Sequence, residues 1–94
     1  LTASLLDSLR RAALRAADEV LAGAREMLAA AGIEAHPHTA LGGVAEQVAR
    51  AVDVHGCDTV IMGTRGMGAV SNLLMGSVAT RVVHLSKVPV LLVK

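Results

Sequence analysis

The sequence predicts an α/β protein in which a parallel sheet is flanked by helices. Along the 94 residues, segments that favour helix and segments that favour strand alternate in the order helix, strand, helix, strand, helix, strand. One of the strand segments is a continuous apolar run, which is typical of strands covered on both faces. Alternation of this kind predicts parallel strands joined by right-handed crossovers. The length suits one domain, which we predict over residues 1–94.

The first half of the chain begins with a long helix. An alanine-rich stretch from about Thr2 to Ala31 favours helix, and Gly32 is a natural C-cap. Apolar residues recur at multiples of three or four positions, which predicts a long amphipathic helix with this apolar stripe: Leu5, Leu9, Ala16, Val20 and Met27. The segment "IEAHPHT" (33–39) then predicts a short strand. Because Pro37 cannot donate a ladder hydrogen bond, this strand belongs at a sheet edge.

The second half of the chain contains shorter helices and strands in alternation. A helix is predicted over 44–55, stopped by Gly56, and "DTVIMG" (58–63) is the apolar run described above. A third helix is marked by Val78, Val82 and Leu85, and "VPVLLVK" (88–94) closes the chain as a strand.

Composition excludes several function classes. The chain has no Phe, Trp or Tyr, so stacking of bases on aromatic rings is impossible. Its net charge is +1, and the basic residues are dispersed apart from Arg10 and Arg11, which argues against nucleic-acid binding. No apolar run reaches the roughly 18 residues of a membrane span, so no membrane partner is expected. The lone cysteine, Cys57, fits a reducing cytoplasm, where we expect the protein.

The glycine-rich segment from Gly63 to Ser77 is the candidate binding site. It lies where a strand leads towards a helix N-terminus, the place where open parallel sheets bind ligands. The spacing matches neither Walker A nor GxGxxG. Glycine frees backbone N–H groups, and a helix N-terminus favours an anion. The alternative is that these glycines only turn the chain and cap a helix.

The distribution of charge favours binding of a phosphate over phosphoryl transfer. All eight Asp and Glu residues lie at or before Asp58, whereas four cations follow it: Arg65, Arg81, Lys87 and Lys94. Asp58 begins the strand that ends at Gly63, so it lies roughly 16 Å from the carboxyl end of that strand. Phosphoryl transfer normally needs a positioned base or a well-held Mg²⁺. No carboxylate is therefore expected near the site to serve as a base.

The pattern Gly63-x2-Gly66-x9-Gly76-Ser77, between "DTVIMG" and "VPVLLV", resembles the ATP-binding branch of the universal stress protein family. The resemblance implies a Rossmann-like fold of the adenine nucleotide alpha hydrolase-like type, with a five-stranded sheet in order 3-2-1-4-5. It implies ATP or AMP as ligand, with or without Mg²⁺, and a homodimer through the last strand, Val88 to Val93. The implied site residues are Met62, Gly63, Arg65 and Gly66 on the ribose and phosphate side, and Gly76, Ser77 and Val78 at the phosphates.

Family members begin with a strand, a helix and a second strand that this sequence lacks. That first strand is central in the sheet and ends in an Asp that helps to hold adenosine. We therefore expect an upstream segment, with strands rearranged between chains as the alternative. A nucleotide-binding stress or signalling protein is the first function predicted, and a dimerisation or interaction module that binds no nucleotide is the second. An enzyme ranks third.

A metal site is not expected. His36 and His38 lie on one face of the predicted strand, but zinc would need a third and a fourth ligand, and His55 and Cys57 belong to another element. Surface histidines and a small buried thiol are the simpler interpretation.

Overall fold

The computed structural model describes residues 2–64 and 75–94. It confirms the α/β class. The helices are α1 (Ala3–Ala30), α2 (Val44–His55) and α3 (Ser77–Leu85), and the strands are β1 (Val60–Gly63) and β2 (Val90–Val93). By contacts the chain divides into two compact units, residues 1–41 and 42–94. The organisation as a single domain stays a prediction.

Unit 1 consists of α1 and the segment after it. The Thr2 side chain caps the helix by accepting a hydrogen bond from the Leu5 N–H at 3.1 Å. At the other end Gly32 has φ 76°, a left-handed conformation suited to glycine, and its N–H donates to the Ala29 carbonyl at 3.0 Å. The predicted bounds of this helix are therefore confirmed to within a residue.

The apolar stripe that marks α1 in the sequence is exposed in the structure. Val20 and Met27 are 72% and 76% exposed, and the rest of that stripe is exposed too. The half-buried residues are Leu14, Ala17, Leu21 and Leu28. A helix this rich in alanine and leucine carries two apolar stripes, and periodicity does not say which of them is covered.

The predicted strand over 33–39 is also wrong. Residues 33–41 adopt no regular secondary structure, and no strand in the described ranges pairs with them. An extended segment becomes a strand only when its N–H and C=O groups find a neighbour. Apolar and β-favouring residues express a preference for such pairing without supplying the neighbour.

Unit 2 holds the core. Helix α2 begins and ends where the sequence predicts, and its C-cap Gly56 is left-handed with φ 62°. Helices α2 and α3 pack against each other, and the buried apolar residues in the described ranges come from these two helices: Ala45, Val52, Ala79 and Val82. Small side chains allow the two helices to approach closely.

Strands β1 and β2 pair in parallel, as predicted, with Val60 opposite Val90 and Gly63 opposite Val93. Coverage on both faces is not found among the described residues. Alternate residues are half-buried in each strand, while Ile61 and Leu91 on the other face are 68% and 56% exposed. The sheet thus presents an open apolar face. No helix within residues 2–64 and 75–94 is both long and apolar enough to span a bilayer.

Candidate functional site

Thr64 joins the end of β1 to the beginning of α3. Its N–H donates to the Val93 carbonyl at 3.0 Å, which extends the strand ladder by one residue. Its carbonyl accepts a hydrogen bond from the Gly76 N–H at 2.5 Å. Thr64 is 8% exposed and is the buried polar residue of the described ranges. The carboxyl end of β1 and the N-terminus of α3 therefore meet at one edge of the sheet.

Within residues 2–64 and 75–94, the N-terminus of α3 keeps backbone donors that an external acceptor could use. Gly76 is its N-cap, with extended backbone (φ −75°, ψ 167°), and no side-chain hydrogen bond caps the helix among the described residues. The first helical bond runs from the Thr80 N–H to the Gly76 carbonyl at 3.1 Å. The N–H groups of Ser77, Val78 and Ala79 accordingly have no partner within the helix. Helix α1, by contrast, is capped by the Thr2 side chain.

The structure brings part of the predicted site together. Met62 is half-buried and Gly63 exposed at the end of β1, and Gly76, Ser77 and Val78 form the start of α3. Arg65 and Gly66 lie outside the described residues. The Gly76 N–H is occupied by Thr64. An anion at this helix end would therefore use the amides that follow Gly76.

An ion pair links α2 to α3 beside this edge. Arg81 donates to Glu46 Oε1 from Nε, and its Nη2 lies 2.5 Å from the same oxygen. A hydrogen bond from its own backbone N–H and then the one from Arg81 lower the pKa of Glu46, and desolvation opposes them. The sequence prediction that no carboxylate lies near the site therefore needs correction. Glu46 is present, but a carboxylate with a lowered pKa is a weak base.

An open groove of about 420 Å³ runs along α3 from its N-terminus. The described residues that line it are Met75, Ser77, Thr80, Arg81, His84 and Leu85. The Thr80 hydroxyl donates to the Gly76 carbonyl at 3.0 Å, so it remains an acceptor. Arg81 is the permanent cation of this described lining, and none of these residues is acidic.

Sequence reasoning did not place Thr64, Arg81 or Glu46 at the site, although it counted Arg81 among the cations that favour an anion. Arg81 could have been found, because it follows Ser77 by four residues and so shares one helix face with it. Glu46 could not have been assigned in the same way, since its partner is 35 residues away in the chain.

The described residues hold no group of three or more His, Cys, Asp or Glu side chains that could bind a metal. His36 Nε2 lies 3.7 Å from Glu34 Oε1, and both side chains are exposed. Cys57 is exposed, contrary to the expected buried thiol, because it lies in the turn that leaves α2. That His36 and His38 bind no metal stays a prediction.

Comparison with known proteins identifies the family to which the sequence is similar. The model of the universal stress protein family matches residues 2–94. Universal stress protein YxiE of Bacillus subtilis is 28% identical over 89 residues, which cover 95% of this chain and 60% of that protein. A universal stress protein from the QAH/OAS sulfhydrylase 3' region of Thermus aquaticus is 43% identical over 53 residues, which cover 56% of this chain and 39% of that protein.

Among solved structures, the one described as hypothetical protein MJ0577 superposes with a TM-score of 0.90 at 25% identity. The match covers 97% of this chain and 63% of the solved chain. This chain therefore spans less than two thirds of the length of each of these relatives.

Proposed function

The chain belongs to the universal stress protein family, and from this premise we propose that it is a stress-response or signalling protein that binds an adenine nucleotide, ATP or AMP, without turning it over. The observation that carries the proposal is the open N-terminus of α3, held beside the end of β1 by the hydrogen bond from Gly76 to Thr64. Backbone donors and a helix dipole at one point suit a phosphate.

Charge supports binding over catalysis. The chain has no Asp or Glu after Asp58, and Glu46, which contacts the groove residue Arg81, is engaged in that ion pair. A phosphoryl-transfer site needs a base or a held metal ion at the reacting phosphate. Mg²⁺ carried by the nucleotide is compatible with this arrangement, because Mg²⁺ is commonly held through substrate phosphates. A cytoplasmic location belongs to the proposal, and the lone cysteine supports it.

Calorimetric titration of ATP into the full-length protein tests the proposal. We expect saturable binding of one nucleotide per chain, and release of inorganic phosphate no faster than in protein-free buffer. Saturable binding with rapid phosphate release would make the protein an enzyme. Absence of ATP and AMP binding would favour the second candidate, a dimerisation or interaction module that binds no nucleotide. The open apolar face of the sheet is the observation in favour of that candidate.

We also propose that the protein forms a homodimer through β2 and its flanks, Val88 to Val93. In the described sheet β2 pairs with β1 on one side. Ladder alternation directs the backbone groups of Val90 and Leu92 to the other side, because Val60 and Thr64 donate to the carbonyls of Pro89 and Val93. An apolar edge strand of this kind is prone to pair with a second copy.

Replacing Leu91 with Lys is expected to convert this dimer to a monomer. In an antiparallel pairing of two β2 strands, the lysines of the two copies lie close together and repel. Ile61→Lys is the matched control, since Ile61 faces Leu91 across the ladder on the same open face but lies one strand further from the edge. Sedimentation at micromolar concentration should show a dimer for the wild type and for Ile61→Lys. Equal dissociation of both variants would assign the interface to the face of the sheet. A monomeric wild type would contradict the proposed homodimer.

A further inference from the structure

We propose that Arg81 makes the site selective for ATP over AMP, by holding the outer phosphates of a nucleotide whose first phosphate lies at the N-terminus of α3. This inference rests on the nucleotide-binding function proposed above. Arg81 lies outside the glycine pattern, and its contact with the outer phosphates would make ATP the preferred nucleotide.

Arg81 is placed to reach beyond the first phosphate. It follows Ser77 by four residues, which is about one helical turn, or roughly 5.4 Å along the axis. Side chains on a helix lean towards its N-terminus, which is the end of α3 where Ser77 lies. Both residues line the same groove. A second or third phosphate that continues from Ser77 along this groove therefore meets the guanidinium.

Glu46 orients the Arg81 guanidinium, which keeps N–H donors that do not contact Glu46. A guanidinium carries five N–H donors in a planar fork, and the contacts with Glu46 are made by Nε and Nη2 towards a single oxygen. Donors therefore remain for a phosphate oxygen, and an arginine fork matches phosphate geometry. Glu46 acts on the ligand only through Arg81 and is in this sense a positioning residue.

Gly43 lies directly beside the Glu46 side chain. A Cβ placed on Gly43, the N-cap of α2, would collide with Glu46 Oε2. The Glu46 side chain is thus folded back over the first turn of α2, from where it holds Arg81 of the neighbouring helix.

The groove offers the phosphates of a ligand one permanent cation, Arg81, within a described lining that is largely apolar. It continues from Ser77 past Arg81 to His84, and none of its described lining residues is acidic. AMP places one phosphate at the helix N-terminus and leaves Arg81 without an anionic partner from the ligand. ATP adds two phosphates along the groove, so the contact with Arg81 distinguishes the two nucleotides.

Titration of ATP and of AMP into full-length wild type, Arg81→Met and Lys87→Met tests this inference. Lys87→Met is the control, because it removes the same charge from the loop after α3 and Lys87 does not line the groove. We expect Arg81→Met to weaken ATP binding about tenfold and to change AMP affinity by less than about twofold. The tenfold figure is at the low end for hydrogen bonds to charged groups, because the Arg81 side chain is 62% exposed. Lys87→Met should change the ATP to AMP affinity ratio by less than about twofold, since charges beyond the Debye length of about 8 Å are screened at physiological salt.

Loss of ATP and AMP affinity by the same factor in Arg81→Met would assign Arg81 a structural role and overturn the selectivity, with the proposed function intact. Unchanged affinities for both nucleotides in Arg81→Met would overturn it as well. Failure of the wild type to bind either nucleotide would remove the proposed function and this inference together. If circular dichroism shows that Arg81→Met is unfolded, Arg81→Gln replaces it. The glutamine removes the charge and keeps a polar side chain that can still donate to Glu46, so the ratio should still fall, and an unchanged ratio would contradict the inference.

Discussion

Replacing Gly76 with Asp is expected to weaken ATP binding about a thousandfold while the fold survives. Gly76 is the N-cap of α3 and has an extended backbone that any residue can adopt. Asp is a favoured N-cap, and its carboxylate would accept hydrogen bonds from the amides at Val78 and Ala79. These are donors that the proposed phosphate needs, so the new side chain competes directly with the ligand.

Electrostatic repulsion adds to this competition. At an effective dielectric constant near 20, two unit negative charges about 4 Å apart repel by roughly 4 kcal/mol, which corresponds to about a thousandfold in affinity. Calorimetric titration of ATP into both full-length proteins measures the loss. Circular dichroism and thermal unfolding check that the variant is folded.

Gly76→Asn separates the two effects. Asn also caps the helix and occupies nearly the same volume, but it carries no charge. It should bind ATP more weakly than the wild type and far more tightly than Gly76→Asp. Equal ATP affinity of the wild type and Gly76→Asp would locate the nucleotide elsewhere on the protein.

Replacing Val82 with Asp is expected to abolish cooperative folding of residues 42–94. Val82 is 2% exposed and belongs to the small core between α2 and α3, with Ala45, Val52 and Ala79. A carboxylate buried there has no compensating partner among these apolar neighbours, which costs roughly 3–5 kcal/mol. That is comparable to the whole stability of a small domain, about 5 kcal/mol at the low end. Thermal unfolding followed by circular dichroism should show no sharp transition.

Val83→Asp is the control for this variant. It makes the same chemical change one residue further along α3, where the side chain is 45% exposed. Because both positions lie in the same half of the helix, effects of helix propensity and helix dipole are closely matched. Val83→Asp should lower the unfolding temperature by only a few degrees. Similar unfolding temperatures for the two variants would contradict the assignment of Val82 to the core.

Most elements of this fold could be predicted because their signals are local. Helix α2 has an apolar periodicity of its own and a glycine that stops it, and its bounds were predicted to the residue. Strands β1 and β2 are shorter than predicted, since they extend only as far as their mutual pairing. The predicted strand over 33–39 failed because pairing is not a local property and no described strand pairs with it.

The candidate site divides in the same way. The glycine spacing indicated the edge where β1 ends and α3 begins, and the structure joins these ends through Thr64 and Gly76. The contact of Glu46 with Arg81 was not predictable, because it depends on how α2 packs against α3.

The sequence by itself determined the α/β class, the order of the helices and strands, and the carboxyl edge of β1 as the candidate site. Those follow from periodicity, caps and glycines, which act over a few residues. Only the tertiary structure decided that Leu14 and Leu21 of α1 are half-buried while Val20 and Met27 are exposed, and that Ile61 and Leu91 of the sheet are exposed. The physical reason is that a pattern defines the faces of an element, whereas the neighbour that covers a face comes from distant parts of the chain or from another chain.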